Sequence, residues 1–330
     1  MFQVRLVHGG RSLQFALFFY VLLVGVADAE EDVCNMRDSC EHKSHALLQI
    51  ASTSSKSRVK QTIDAPDLLE DSRIVSNIQT WVRDYGAGLE ATRERARAFV
   101  ELGKRQLLNE GGRAWASTGD EEAAIHYLRI RATKPKITWE CSPANGYSSI
   151  FILSAIADNH NGGHLHSFGL DPAEKVLQNI REVDPSLLQY WTYHEGDFRL
   201  TVNDTFTKGS IESLPLPNYV YLDADHSSNF AQFYTSQFLS KLPGHTYVSI
   251  HDIYKWTGYG GDPHEPTEEG KVVFDFLKQK MLSPCNIFTV SGYHKPDLLE
   301  SVRTNLEPFC CKDRLHEGFA NPTIWFQLQC

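Results

Sequence analysis

The strongest constraint on the fold is an alternation that begins after Pro135, between short β-rich runs and segments with apolar residues at helical spacing. Strands that alternate with helices favour a doubly wound, mostly parallel sheet with helices on both faces. The last two runs have no clear helical segment between them, which predicts an antiparallel edge. We therefore predict an α/β fold with a seven-stranded sheet. The seven strand-like runs are ITWEC, HLHSFGL, YWTYHE, YVYLDAD, HTYVSIHD, IFTVSG and TIWFQLQ.

The part of the chain before this alternation has a different pattern. Apolar residues recur at helical spacing from Ile74 to Leu89 and again from Ala96 to Leu107, and residues 121–132 form a third helical segment. These segments predict a mainly helical lead-in over residues 67–133, followed by one α/β domain over residues 134–330. Between the third and fourth strands the sequence predicts a long loop.

The N-terminus resembles a leader sequence. Arg5 and Arg11 precede the apolar run of residues 13–26, and the small-residue pattern Ala27-Asp28-Ala29 follows it. A positive start, an apolar run and a small-x-small site predict a signal peptide over residues 1–29 and entry into the secretory pathway, to a lumen or the exterior. The apolar run is shorter than the ~20 residues of a membrane span, so no stable span is expected after cleavage. An uncleaved signal anchor is the alternative.

Residues 30–66 have the composition of a linker. Within them, residues 42–63 contain no acidic residue, five serines and four Lys or Arg. Such a stretch after a signal peptide is also typical of the bipartite presequence of proteins imported into a complex plastid, which is a second alternative for the destination.

Charge and cysteine content exclude some classes of function. The chain has 41 Asp or Glu against 32 Lys or Arg, a net charge of −9, and no extended basic cluster, so we expect no nucleic-acid partner. The seven cysteines match no zinc-binding spacing. We predict Cys141 to be a buried core residue. Cys310 and Cys311, near Cys285 or Cys330, could form disulfides that hold the C-terminal region together, and the sequence leaves their connectivity open.

An acidic residue stands at or just after the end of each of the first five predicted strands. These residues are Glu140, Asp171, Asp197, Asp223 and Asp252. In doubly wound sheets ligands bind outside the carboxyl ends of the strands, so these five acids are expected at one edge of the sheet. Gathering carboxylates raises their pKa values, which makes a shared ligand the better explanation. Ribose hydroxyls, an adenine amine, a sulfonium or a divalent cation would each account for one.

Five segments at these strand ends resemble motifs of class I S-adenosylmethionine-dependent methyltransferases. ITWECSPANGYSS resembles motif I, SFGLDP the second motif, and EGDF the turn that contacts adenine. YVYLDADHS and VSIHDIY resemble the ends of strands four and five in the small-molecule O-methyltransferase branch, including its D-x-D-H-S signature. The resemblance covers about residues 135–290 and implies a Rossmann-like methyltransferase fold. A nicotinamide-binding domain is the rival, but its G-x-G-x-x-G is absent.

The resemblance implies a binding site for S-adenosyl-L-methionine. Asp171 would bind the ribose hydroxyls and Asp197 would lie at the adenine, while the small residues of motif I let the backbone approach the ligand. Ser142 replaces the usual first glycine of the motif, which is acceptable if the backbone there is not left-handed. The predicted cofactor-binding residues are Glu140, Ser142, Asn145, Gly146, Tyr147, Ser148, Asp171 and Asp197.

The resemblance also indicates where the acceptor would react. His226 is the candidate general base because its pKa lies near neutrality, and Asp223 is its candidate partner; a structural role for His226 in holding the loop is the alternative. Asp223, His251 and Asp252 form a candidate site for Mg²⁺ or another divalent cation. In the metal-dependent relatives an asparagine stands where this chain has Ile253, so the third ligand differs.

Together these features predict methyl transfer to a hydroxyl oxygen of a small molecule or sugar. The alternative is a non-catalytic binding or structural protein that retains the methyltransferase fold, which Ser142 and Ile253 favour. The identity of the acceptor does not follow from the sequence, because fold analogy does not name a substrate.

Overall fold

The computed structural model of the protein describes residues 71–110, 118–207, 214–255, 261–262, 264–279, 284–290, 296–311 and 323–329. The signal peptide predicted over residues 1–29 and the linker predicted over 30–66 lie outside the described residues and stay predictions. Within the described ranges, no helix is both long enough and apolar enough to cross a membrane.

One seven-stranded sheet forms the centre of the described chain, with strand order β3-β2-β1-β4-β5-β7-β6. Strands β1 to β5 are parallel, and β7 is antiparallel to both β5 and β6. The predicted fold class and its antiparallel edge are therefore confirmed. The strands are β1 Ile137–Cys141, β2 His164–Gly169, β3 Trp191–Glu195, β4 Tyr219–Leu222, β5 Tyr247–Ile250, β6 Cys285–Thr289 and β7 Ile324–Gln327.

Eight α-helices accompany the strands within the described residues. A 3₁₀ helix, Pro185–Tyr190, precedes β3, and α6 continues into a π-helical turn at Tyr234–Phe238 and a 3₁₀ turn at Leu239–Lys241. The helices are α1 Asp71–Glu110, α2 Asp120–Thr133, α3 Tyr147–Asn159, α4 Ala173–Val183, α5 Phe198–Thr207, α6 Ser228–Phe233, α7 Glu268–Leu277 and α8 Pro296–Leu306.

Three expectations about helices were wrong. The first two predicted lead-in helices are one continuous helix of 40 residues, α1. The region predicted as a long loop after β3 contains α5, which is rich in Thr, Asn and Asp and has weak intrinsic helical propensity. Its Val202 is fully buried, so packing against the sheet outweighs propensity. The last two strands were expected to have no helix between them, but helix α8 lies between β6 and β7 and buries Leu299 and Val302.

Alternation along the central strands divides the core into two layers. Tyr219 and Tyr221 of β4 point to one face of the sheet, and Val220 and Leu222 point to the other, as the two-residue period of a strand requires. Helices α1 to α4 and α8 contribute to the first layer, and α5, α6 and α7 contribute to the second. The lead-in helices α1 and α2 therefore belong to the same compact unit as the sheet.

The described cysteines differ in their state. Cys141 is buried and free, as predicted for a core residue. Cys310 forms a disulfide with its neighbour Cys311, which settles for these two residues the pairing that the sequence left open. The adjacent pair follows α8 and is buried, and the Cys310 sulfur lies 3.9 Å from the carbonyl oxygen of Asp120 at the start of α2.

Two buried histidines are expected to make the fold sensitive to acid. Burial lowers the pKa of His126 to about 3 and that of His166 to about 4, both below the 6.5 of an unfolded histidine. The folded state thus favours the neutral rings, and stability that is complete above pH 6.5 is lost as the pH falls toward 4. At 1.36 kcal/mol per pH unit, His126 alone should cost about 2 to 3 kcal/mol between pH 6.5 and pH 4.5.

Urea unfolding at these two pH values measures that loss. A His126→Asn variant keeps a polar atom near the Tyr219 hydroxyl, which lies 2.9 Å from His126 Nδ1, but cannot titrate. We expect its stability to fall less between pH 6.5 and pH 4.5 than that of the unaltered protein, whereas the exposed His245→Asn control should change nothing. An unchanged pH dependence in His126→Asn would contradict the assignment.

Candidate active site

The pairing of β4 with β5 brings the key acids together at the carboxyl edge of the sheet. Leu222 and Ile250 are the last residues of these strands and are register partners. The backbone amide of His251 donates to the Leu222 carbonyl at 2.9 Å. Asp223 and the pair His251-Asp252 therefore start adjacent loops, and the backbone at Asp252 is left-handed, with φ at +54°.

The imidazole of His226 is held from one side and faces two carboxylates on the other. Its Nδ1 lies 2.7 Å from Glu269 Oε2, and the other oxygen of Glu269 accepts a 2.8 Å hydrogen bond from the Tyr234 hydroxyl. Its Nε2 lies 3.4 Å from Asp252 Oδ2 and 3.7 Å from Asp223 Oδ1. Because Glu269 is buried at the start of α7, it fixes the ring and leaves Nε2 directed at the two acids.

His251 is buried between three carboxylates. Its Nε2 lies 3.3 Å from Glu122 Oε2, and its Nδ1 lies 3.1 Å from Asp223 Oδ1 and 3.3 Å from Asp252 Oδ1. Burial lowers the pKa of an imidazole, but Asp223 and Glu122 outweigh it and raise the pKa of His251 well above its usual value. With a carboxylate at each ring nitrogen, His251 is an imidazolium that neutralises part of the acidic cluster.

The same contacts set the pKa values of the surrounding groups. Burial would raise the pKa of Asp223, but the charge of His251, the contact with it and the charge of His226 lower it to about 2. Burial also opposes protonation of His226, yet the hydrogen bond that its ring donates to Glu269 and the charge of Asp252 raise its pKa above the usual value. His226 is thus a stronger base than a free histidine, and Asp223 remains ionised at neutral pH.

Three of these side chains form a group that fits a metal ion. Ligand atoms of Asp223, His226 and Asp252 all lie within 4.8 Å of one another. The predicted set had His251 as its third member, but both nitrogens of that ring face carboxylates, whereas His226 presents Nε2 to the two acids. Two carboxylates and one imidazole are a donor set that a divalent cation accepts. The structure therefore assembles a different triad from the predicted one.

A cavity of about 530 Å³ opens beside this cluster at the carboxyl ends of β1, β2, β3 and β4. Of the eight predicted cofactor-binding residues, Ser142, Asp171 and Asp197 are among those that line it. Its volume lies within the range of pockets that hold small ligands. The lining residues are Cys141, Ser142, Pro143, Ala144, Phe168, Gly169, Leu170, Asp171, Tyr193, Gly196, Asp197, Phe198, Arg199, Ala224, Asp225 and Phe230.

Glu140 lies beneath the cavity rather than in its wall. Its side chain is fully buried, and its two oxygens accept hydrogen bonds of 2.6 to 2.8 Å from Ser148, Ser149 and Ser167. These hydroxyls tie the end of β1 to the first turn of α3 and to β2. The structure therefore gives Glu140 and Ser148 a part in shaping the motif I loop.

The other residues of that loop outside the cavity wall also have structural partners. The Tyr147 hydroxyl donates to Asp120 at 2.5 Å, and the Asn145 carbonyl accepts from Asn179 at 3.1 Å. Gly146 has φ at +100°, and a Cβ there would lie 3.1 Å from an Ile180 methyl group. A side chain at this position would meet both strain and crowding, which explains the glycine.

The motif I loop holds two further left-handed residues that are not glycine. Ser142 has φ at +64° and Ala144 has φ at +47°. The condition under which Ser142 would replace glycine at no cost is therefore not met, because a Cβ in this conformation costs roughly 1–2 kcal/mol. Both residues line the cavity, so the strain lies where a ligand would contact the backbone.

Asp197 is already engaged by a neighbouring cation. The guanidinium of Arg199 donates to both of its oxygens, at 2.7 and 3.0 Å, and the Arg199 amide donates at 2.9 Å. These hydrogen bonds hold the pKa of Asp197 below its usual value. A ligand amine at this position would share the carboxylate with Arg199, which also lines the cavity.

Sequence reasoning missed three residues of the site. Glu122 reaches His251 from the start of α2, and Glu269 reaches His226 from α7. Tyr234, in the turn after α6, donates to Glu269. Glu269 lies two residues after Thr267, whose side chain caps the N-terminus of α7. A capping residue can predict where the helix begins, but it does not predict that the Glu269 carboxylate points toward His226. Glu122 carried no signal, because acids are common in the first turn of any helix.

The fold and the placement of this cavity define the class of the protein: a Rossmann-like α/β domain with a cavity beside the switch point between β1 and β4, where such sheets bind their ligands. Residues 143–253 match the family model described as a methyltransferase domain. This match agrees with the predicted resemblance to methyltransferases. Comparison with curated proteins finds no match for the sequence.

Solved structures of similar fold include two O-methyltransferases of distant sequence. One is from Bacillus cereus in complex with SAH, with 13% identity and a TM-score of 0.49. The other is TomG from Streptomyces achromogenes, involved in tomaymycin synthesis and in complex with SAM, with 13% identity and a TM-score of 0.47. Each comparison covers 70% of this chain and 90% of the other.

Proposed function

We propose that this protein transfers a methyl group from S-adenosylmethionine to a hydroxyl oxygen of a small molecule or sugar. One observation carries the proposal. His226, oriented by the buried Glu269, lies in the loop that follows β4, and residues 224 and 225 of the same loop line a cavity large enough for a nucleoside-sized ligand. A base with a raised pKa next to such a cavity suits removal of an acceptor proton.

The cavity residues fit the proposed cofactor by chemical type. Asp171 and Asp197 offer acceptors for ribose hydroxyls and an amine, and the aromatic rings of Phe168, Phe198 and Phe230 offer an apolar wall for a base. Acidic side chains also suit a ligand that carries a positive charge. When bound, S-adenosylmethionine supplies an electrophilic methyl group, and the chain's own part is to orient the acceptor in line with it.

His226 has two chemically reasonable ways to act on the acceptor. In the first, Nε2 takes the proton of the acceptor hydroxyl while Nδ1 stays bonded to Glu269, so the charge gained by the ring is stabilised by Asp252 and Asp223. In the second, His226, Asp223 and Asp252 hold a divalent cation such as Mg²⁺. Turnover measured with Mg²⁺ and with a chelator separates the two.

Calorimetric titration with S-adenosylmethionine tests the cofactor. We expect binding in the micromolar range, weakened at least roughly tenfold by Asp171→Ala, because this change removes a charge-assisted hydrogen bond at the cavity wall. Glu174→Ala is the matched control, since it removes a nearby exposed acid of α4 that does not line the cavity. Folded protein without detectable binding would defeat the proposal.

A non-catalytic ligand-binding protein is the second candidate. It is favoured by the left-handed Ser142 and Ala144 and by the engagement of Asp197 with Arg199, both of which depart from an open cofactor loop. The same titration separates the candidates, since this reading expects no S-adenosylmethionine binding.

A further inference from the structure

A buried arginine lies at the edge of the sheet opposite the candidate active site. Arg129, in the second half of α2, is only 2% exposed. Its guanidinium donates to the backbone carbonyls of Phe326 at 2.9 Å and Val248 at 3.3 Å. Its Cζ lies 5.0 Å from the centroid of the Tyr247 ring and 5.5 Å from that of Phe288.

These partners satisfy donors of the guanidinium but do not neutralise its charge. Among the described residues, no carboxylate forms an ion pair with Arg129. The groups that favour its charged form are the hydroxyls of Tyr219 and Tyr247. Burial therefore lowers the pKa of this arginine. A charge removed from water without a counter-charge is costly, and proteins generally supply a partner for it.

The guanidinium lines a cavity of about 260 Å³. A second guanidinium, that of Arg73, lines the same cavity, and the described lining residues include neither Asp nor Glu. Asn77 and Trp81 also line the cavity and carry an amide and an indole N–H that can donate hydrogen bonds. The remaining lining residues are Ile74, Ala132, Thr133, Tyr247, Asn286 and Phe288.

This cavity is separate from the proposed cofactor cavity. Tyr247, which lines this cavity, is the first residue of β5, and His251 and Asp252 of the acidic cluster directly follow the last residue of that strand. At about 3.3 Å per residue, Tyr247 and His251 are about 13 Å apart along the strand. The two cavities share no lining residue. A chain with a net charge of −9 thus has two arginines, one buried and one exposed, beside a cavity away from its acidic site.

We propose that this cavity binds a small anion, through a carboxylate or phosphate group that pairs with Arg129 and Arg73. The planar guanidinium suits bidentate contact with either group. The volume is below the ~300–1,000 Å³ of drug-sized pockets, so the ligand is a small metabolite or ion, and the Trp81, Tyr247 and Phe288 rings provide apolar contact for its remaining atoms. The proposal is independent of methyl transfer.

Titration of the purified protein with inorganic phosphate and, separately, with malonate tests the site. Ionic strength is held constant with chloride, and binding is followed by calorimetry and by the thermal midpoint. We expect saturable binding and a matching rise in the midpoint. Arg129→Gln should weaken binding at least roughly tenfold, because it removes the buried charge that pairs with the anion. Comparing the two anions distinguishes phosphate from carboxylate as the preferred group.

Two further variants make the result decisive. Asn77→Asp places a carboxylate at an exposed position of the rim, so this variant keeps its fold and should also weaken binding at least roughly tenfold. Arg131→Gln is the matched control: Arg131 lies on the same helix but is paired with Asp158 at 3.1 Å and does not line the cavity, so anion affinity should not change.

The alternative role for Arg129 is to tie β5 to β7 through their carbonyls and nothing more. Absence of saturable binding would establish that role and overturn the proposal. A thermal midpoint that rises with anion concentration without saturating, and equally in all variants, would also overturn the proposal. Exclusion of phosphate from the protein surface stabilises any folded protein in that way.

Discussion

Replacing Glu122 by leucine should destabilise the protein by about 3–5 kcal/mol, because it leaves a buried cation and buried donors without a partner. Glu122 is fully buried, and its carboxylate lies 3.3 Å from His251 Nε2. It also accepts from the backbone amides of Gly119 and Thr323, at 3.1 Å each, and from the Thr323 hydroxyl. Urea unfolding at pH 7 measures the loss.

Two controls separate this effect from a general effect of the helix start. Glu121→Leu, one residue earlier, breaks an ion pair with Arg303, but the Arg303 side chain is 30% exposed and can be solvated after the change, so the loss should be smaller than at Glu122. Glu122→Gln keeps an acceptor for the backbone amides but removes the charge, so its cost should lie between the two. Equal losses for the leucine variants at 121 and 122 would contradict a special role for Glu122.

Replacing His226 by asparagine should lower kcat by about 100- to 10,000-fold, the usual contribution of a general base, once an acceptor has been identified by screening. The asparagine amide can still donate to Glu269, so the loop stays anchored while Nε2 is lost. Methyl transfer and S-adenosylmethionine affinity are measured on the same preparation. We expect the affinity to be unchanged, because His226 is absent from the described lining of the cofactor cavity.

Glu269→Gln provides the matched comparison for the base. It keeps a hydrogen bond to His226 Nδ1 but removes the negative charge, so the pKa of His226 falls and the acidic limb of the pH–rate profile moves to lower pH. A merely structural role for the pair would leave that limb in place. Equal losses of kcat and of cofactor affinity in His226→Asn would likewise point to a structural role.

Much of the architecture follows from local pattern. An acid stands at or just after the end of each of strands β1 to β5, and a parallel sheet aligns such ends at one edge whatever the details of packing. For that reason the sequence correctly predicted the fold class and placed Asp171, Asp197 and Asp223 at the edge where the structure has its cavity and its acidic cluster.

Helix α5 shows where local pattern is insufficient. Its sequence, FRLTVNDTFT, has low intrinsic helical propensity, and only the burial of Phe198 and Val202 against the sheet makes it helical. The continuous helix α1 is a similar case, since two periodic segments give no indication of whether the chain breaks between them.

The sequence alone determined which residue types stand at the strand ends, because strand and helix periods are local properties of the chain. Tertiary structure decided their roles. Glu140 turned away from the cavity toward three serine hydroxyls, and His251 became a buried imidazolium when α2 brought Glu122 beside it. His226 took the third place beside Asp223 and Asp252 because α7 supplied Glu269. The reason is physical: the charge state and direction of a polar side chain depend on partners distant in the sequence, which only packing brings within hydrogen-bonding distance.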